Sequence, residues 1–230
     1  MWTRAELKAQ GKAAFKANYW KCVLAAFLLA LFTGASAGAS GRGGNSQQQA
    51  EQLQQQLNAM PDGDKLAVAM IVLGVVATAV AVSILIKIFL TNPLKVGCYD
   101  FFIRNTENPP AELNNIGKGF RDYWHTFVTL FLTDLYLVLW TLLLFIPGII
   151  KAYSYRMVPY ILAEHPELSA SEIITRSREM MDGQKWRAFV LDLSFLGWFL
   201  LGILTLGIVN LFWTSPYKQS TDAALYLALR

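Results

Sequence analysis

Two cysteines and two histidines in 230 residues leave little from which to build a disulfide framework or a metal centre. Cys22 and Cys98 each lie within a few residues of an apolar run, and two free thiols on the reducing side of a membrane are the plainer reading. His125 and His165 sit in separate polar segments, so no metal or other cofactor is expected. Charge is scarce as well: Asp, Glu, Lys and Arg make up 16% of the chain and the net charge is only +4. That excess is too small to point to nucleic acid as a partner. A Gly-x-Ser-x-Gly elbow and a phosphate-binding glycine loop are both missing. Asp134 and Asp192 lack the glycine-flanked setting of an intramembrane aspartyl protease, and the chain is expected not to be an enzyme.

What is abundant is apolar sequence, 54% of all residues. It comes in blocks: Leu66 to Ile86 runs without a charge, long enough for the ~30 Å core of a bilayer. No polar face interrupts it, as one would in the core helix of a soluble domain. Further runs cover Cys22–Phe32, Thr126–Ala163 around an Ile146-Pro147-Gly148 break, and Ala188–Trp213 around a Thr205-Leu206-Gly207 break.

Three regions share one order of parts: a short basic amphipathic helix, a tryptophan, an apolar helix, a break, a second apolar helix and a proline. Trp20, Trp124 and Trp186 are the expected interfacial anchors, and Pro93, Pro159 and Pro216 end the units. The predicted architecture is therefore an all-α membrane protein, a six-helix bundle of three hairpins, each preceded by an amphipathic interfacial helix. Units fall at 1–95, 110–163 and 168–230, with a Gly/Gln-rich external insert at 34–64. Thr3 with Glu6 and Ser169 with Glu172 are spaced as capping boxes for the first and third amphipathic helices, and Leu113, Ile116 and Phe120 space out the second. The basic start, short apolar run and Ala35-Ser36-Ala37 also match a cleavable signal peptide, an alternative that pattern alone leaves open.

Orientation follows the basic residues. With six spans, segments 1–21, 91–124, 164–187 and 217–230 all lie on the cytoplasmic side and hold fifteen of the twenty Lys and Arg. Both termini are then cytoplasmic. A four-span alternative places six basic residues between Lys151 and Arg187 outside and is disfavoured.

Four ionisable residues fall inside the apolar blocks: Lys87, Asp134, Arg156 and Asp192. Each costs several kcal/mol in hydrocarbon unless paired, so they are expected to face one another in the cytoplasmic half of the bundle, with Asp134 beside Arg156. Such a layer serves either as a polar cavity for an ion, proton or headgroup or as glue between hairpins.

The stretches Trp2-Thr3-Arg4, Ile146-Pro147-Gly148-Ile149-Ile150-Lys151-Ala152-Tyr153-Ser154-Tyr155, Leu168-Ser169-Ala170, Asp192-Leu193-Ser194-Phe195 with Gly197-Trp198, and Pro216-Tyr217 through Leu225-Tyr226 carry a resemblance. On them the chain resembles a family of uncharacterised bacterial integral membrane proteins known as a domain of unknown function. The resemblance implies a multi-pass location in the bacterial cytoplasmic membrane and no catalytic residue. Two roles are consistent with all this: a non-enzymatic transport or transport-associated module working through its charged layer, or a membrane scaffold or protective partner-binding protein. The expected partners are the bilayer, with anionic lipid at the cytoplasmic face, and another membrane protein.

Overall fold

A computed structural model of the chain describes residues 2–33, 61–86, 91–114 and 116–230. Among these residues the structure is helical throughout, without a strand. Lys87 and the insert from 34 to 60 lie outside the described residues.

Helix α1 (Arg4–Ala17) opens on the expected capping box, the Thr3 hydroxyl accepting from the Glu6 amide while the Glu6 carboxylate accepts from the Thr3 amide. Leu7, Gly11, Ala14 and Phe15 form its buried stripe at helical spacing. After Asn18 the chain turns into α2 (Tyr19–Thr33), and later into α3 (Asp62–Ile86). Among the described residues no helix packs extensively along α3, and Leu66, Met70, Ile71, Leu73 and Val75 are all exposed.

The next element departs from expectation. The stretch 113–121 is predicted as an amphipathic helix, but its described residues, 113, 114 and 116–121, form turns and a single 3-10 turn at Lys118–Phe120, while a long helix, α4 (Asn92–Glu107), precedes them. Pro93 supplies the reason for its start, because proline in the first turn loses no intrahelical bond. Two glycines explain why the later segment is not a helix. A Cβ on Gly97 would meet the Ile116 carbonyl at 1.8 Å, and one on Gly119 would meet the Pro93 carbonyl at 2.2 Å. The segment is a strap drawn backbone to backbone across α4, too close for side chains between them.

Helix α5 (Tyr123–Leu143) and α6 (Phe145–Ser154) form the second hairpin as expected, but the turn is not at Pro147-Gly148. The break is Leu144, which is extended, and Pro147 falls in the first turn of α6, where a missing N–H costs nothing. Gly148 instead permits close approach, since a Cβ there would sit 2.6 Å from the Thr141 hydroxyl. Short α7 (Val158–Glu164) follows, then α8 (Ala170–Met180) with the second expected capping box, at Ser169 and Glu172. The third hairpin rises through α9 (Lys185–Leu193) and α10 (Leu196–Leu204). It turns at the predicted Thr205-Leu206-Gly207, where Leu206 (φ 52°) and Gly207 (φ 89°) are left-handed. A π-helical segment (Asn210–Thr214) leads into α11 (Ser215–Leu229).

Much of the core lies in segments whose sequence reads as interfacial and polar, joined by the ends of the apolar stretches. Helices α1, α4, α7 and α11 carry most of the buried side chains, among them Phe15, Phe101, Phe102, Tyr160, Ile161 and Tyr226. The apolar hairpins project from this base. Their tips are almost bare, with Leu142 and Leu204 each 79% exposed and Leu206 95%. Two helical stretches, Tyr123–Leu143 and Lys185–Leu204, are long and apolar enough to cross a membrane. Both cysteines are free and buried, and burial pushes the Cys98 thiol up to about 12.

The crossing of α1 and α11 gives a first prediction. A Cβ on Gly11 would lie 2.7 Å from the Thr221 backbone, whereas Gly74 has open space around it. Gly11→Ala should lower stability by about 1–3 kcal/mol and Gly74→Ala should leave it unchanged or slightly raised, as read from melting of the detergent-solubilised protein. A second concerns Cys98: iodoacetamide at pH 8 should leave it unlabelled in the folded protein and label it once denaturant opens the core.

Candidate functional site

The most concentrated chemistry in the fold is a four-charge network where α6, α9 and α11 meet. Arg156, in the short turn between α6 and α7, donates from both terminal nitrogens to Asp192, Nη1 to Oδ2 at 2.9 Å and Nη2 to Oδ1 at 2.8 Å. The same Nη2 reaches Asp222 Oδ1 at 2.7 Å. Lys218 closes the square, 3.0 Å from Asp192 Oδ1 and 2.8 Å from Asp222 Oδ2. Tyr153 donates its hydroxyl to Asp192 Oδ2 at 2.9 Å. Two cations thus face two carboxylates, and the planar fork of arginine is the group that can serve both acids at once.

Local sequence explains the placement. Lys218 and Asp222 are four residues apart on α11, so they share a face and pair along the helix. Tyr153 and Arg156 come off the end of α6, where the chain bends into the turn before α7. Asp192 is in the last turn of α9, which packs on α6 through the Tyr153–Phe189 ring pair. Side-chain exposure of 13% for Arg156 and 11% for Asp222 makes this pair the dry side of the square. Beside it Tyr160 stacks on Tyr226 and meets Tyr99 edge to face, its buried hydroxyl without a hydrogen-bond partner among the described residues.

Of the predicted site residues, Arg156 and Asp192 are brought together. The carboxylates paired with Arg156 are Asp192 and Asp222, and Asp134 is exposed on α5. Reckoning depth along a straight helix fixes its height but not its azimuth. Lys218, Asp222 and Tyr153 are members that the sequence reading misses. The signal for the first two is present in the Lys-x-x-x-Asp spacing, which alone reads as an ordinary solvated face. Trp20, Trp124 and Trp186 are each more than 70% exposed at the start of their apolar helices.

Two further hubs hold the base in register. Asn105 on α4 donates to the Ala14 carbonyl and accepts from Asn18 and the Ala111 amide. Lys118 on the strap donates to Asp100 at 2.9 Å and to the Ala163 carbonyl at 2.6 Å. At the chain's end Arg230 pairs with Glu107 and Glu164, and the Tyr226 hydroxyl donates to Glu164. From α1, Lys8 donates to the Ser194 carbonyl and hydroxyl, and the Arg187 guanidinium lies 4.4 Å over the Trp2 ring. Among the described residues no group of three or more His, Cys, Asp or Glu is placed to hold a metal ion.

The square predicts a hierarchy of losses. Arg156→Met leaves the buried Asp222 and the half-buried Asp192 with Lys218 as their shared cation and should cost about 3 kcal/mol. Arg156→Lys keeps the charge but not the fork and should cost less, and Lys218→Met, on the wetter side, less again. Denaturant melting of the three variants in one detergent checks the order, and equal losses would mean that the fork does not matter.

Comparison with known proteins adds a boundary to this picture. No curated protein and no solved structure matches the chain. Residues 142–230 match the model of a family described as Protein of unknown function (DUF975). The matched stretch starts at the tip of the α5–α6 hairpin, runs through α11 and contains all five members of the network. The similarity to this family of unknown function extends over residues 142–230, the C-terminal part of the chain.

Proposed function

We propose that the protein is a multi-pass, non-enzymatic component of the bacterial cytoplasmic membrane, acting as a scaffold that binds lipid and a membrane partner. The observation that carries the membrane reading is the inversion of the fold. Polar and charged helices make the buried base, while leucine and isoleucine cover the outside of α3 and the two hairpin tips. An apolar surface of that continuity is stable only against lipid or another apolar surface. The exposed tryptophans at the feet of α2, α5 and α9 are placed as interfacial anchors. In this reading both termini lie with the basic helices on the cytoplasmic side.

Between the two roles open to the sequence, the network favours the scaffold. Each of its charges is matched, the square is neutral, and its acids and bases join α6, α9 and α11. A working ion path keeps a charge to spare, whereas this square has its partners within the fold. The transport reading retains one supporting observation, the unpartnered Tyr160 hydroxyl beside the square.

Placing the hairpins in lipid also locates a boundary. Arg178 on α8 lines the same cleft as Trp140 and Lys151, close to the hairpin tip. On that face the headgroups reach nearer the tip than Trp124, so α5–α6 enters the bilayer tip first and tilted, its short second helix held against protein. Upright spans are then left to α3 and the α9–α10 stretch.

Charging the outer apolar faces tests this reading without touching the base. Leu73, Leu143 and Leu200 are exposed on α3, α5 and α10. Leu73→Asp, Leu143→Asp and Leu200→Asp should each cost about 3 kcal/mol of insertion. The triple variant should become extractable by alkaline carbonate while the wild type stays with the membrane pellet. A wild type released by carbonate alone sinks the membrane reading.

A further inference from the structure

The square consumes its own charges, but a second cationic group does not. A cleft of about 340 Å3 lies between α5, α6 and α8, lined among others by Trp140, Lys151, Tyr155, Ser171, Thr175 and Arg178. Lys151 sits 4.6 Å over the Trp140 ring, which holds its ammonium at the mouth of the cleft. The charged groups that act on it are Arg178 and Lys185, both cations. No carboxylate forms an ion pair with Lys151 or Arg178 among the described residues, and Lys185 has only exposed Asp182, 3.9 Å away.

A cleft of about 390 Å3 lined by Arg104, Lys118 and Arg121 is equally basic at first sight. There Asp100 already takes both Arg104 and Lys118, so most of the charge is used.

In the α5–α6–α8 cleft two unmatched cations stand with the hydroxyl of Thr175, which can donate to an oxyanion. The opposite wall is of another kind. Beyond Trp140 the hairpin tip offers Leu142, Leu143, Leu144 and Ile146, all exposed. A cationic, hydroxyl-bearing floor that opens within one helical turn onto bare aliphatic surface matches an amphiphile with an anionic head. Free phosphate would satisfy the floor and leave the wall without purpose.

We propose that this cleft binds the phosphate of an anionic phospholipid between Lys151 and Arg178, with the acyl chains laid on the apolar tip beyond Trp140. The assignment rests on the membrane reading above. It also accounts for the position of α8, whose exposed Arg178 is brought up the hairpin to the level of the headgroups, where the lipid supplies the missing negative charge.

The test uses the full chain, purified in detergent and titrated with phosphatidylglycerol or phosphatidylcholine, with bound lipid counted by native mass spectrometry. Wild type should prefer phosphatidylglycerol. Each charge removed should weaken that binding about five-fold, and Lys151→Gln with Arg178→Gln roughly twenty-five-fold, at the usual worth of a basic residue near an anionic surface. Lys151→Arg with Arg178→Lys should restore it, and phosphatidylcholine binding should not move. Inorganic phosphate at millimolar concentration should fail to displace the lipid. If the double Gln variant keeps wild-type affinity, or if inorganic phosphate competes, the lipid site is overturned. Carbonate extraction of the same variant is independent of both results: a carbonate-resistant protein that lacks the preference for phosphatidylglycerol in the wild type removes the site and leaves the membrane reading standing.

Discussion

One guanidinium organises this protein. Arg156 is nearly dry, and a buried cation is tolerable only if its neighbours supply the opposite charge with good geometry. Asp192 and Asp222 do so from two different helices, and Lys218 balances the second negative charge. Because those helices are α9 and α11, the requirement of one side chain dictates where the third hairpin must sit relative to the second. Apolar packing alone would not: leucine faces on projecting helices fit one another in many registers. Polar pairing supplies the uniqueness that greasy surfaces lack.

The same logic governs the base. Its helices are linked by single polar side chains that each serve several backbone or side-chain partners, Asn105 and Lys118 above all. Where backbones touch, glycine makes the contact possible: Gly11 under Thr221, Gly97 under the strap and Gly119 within it. Close crossings through small residues and polar pins fix the register of these helices beyond what apolar burial alone would set.

Much of the architecture is legible in the sequence, and the parts that are not share a cause. Both capping boxes, the break at Thr205-Leu206-Gly207 and the pairing of the second and third apolar stretches into hairpins are local signals, fixed within a few residues. The meeting of Arg156 with Asp192 is also readable, because two charges of opposite sign within apolar stretches have few alternatives. What fails requires knowledge of the other side of the contact. Residues 113–121 have a helical apolar rhythm, but a strap against α4 needs only that Gly97 and Gly119 face backbone, which no periodicity records. Depth along one helix ranks Asp134 beside Arg156, yet it does not say which way a side chain points. Lys218 and Asp222 resemble a solvated face because nothing in α11 announces that an arginine 66 residues earlier than Asp222 lies against it.

The order of the network along the chain has a consequence for how the protein is made. Arg156 emerges first, and its carboxylates follow 36 and 66 residues later. At a synthesis rate of ~5–20 residues per second, the second hairpin waits roughly 3–13 s with its central cation incompletely matched before Asp222 exists. During that interval a cation without its full set of partners keeps the foot of the hairpin hydrated. Assembly is thereby ratcheted: the apolar hairpin can form early, but the bundle locks only when its last helix docks.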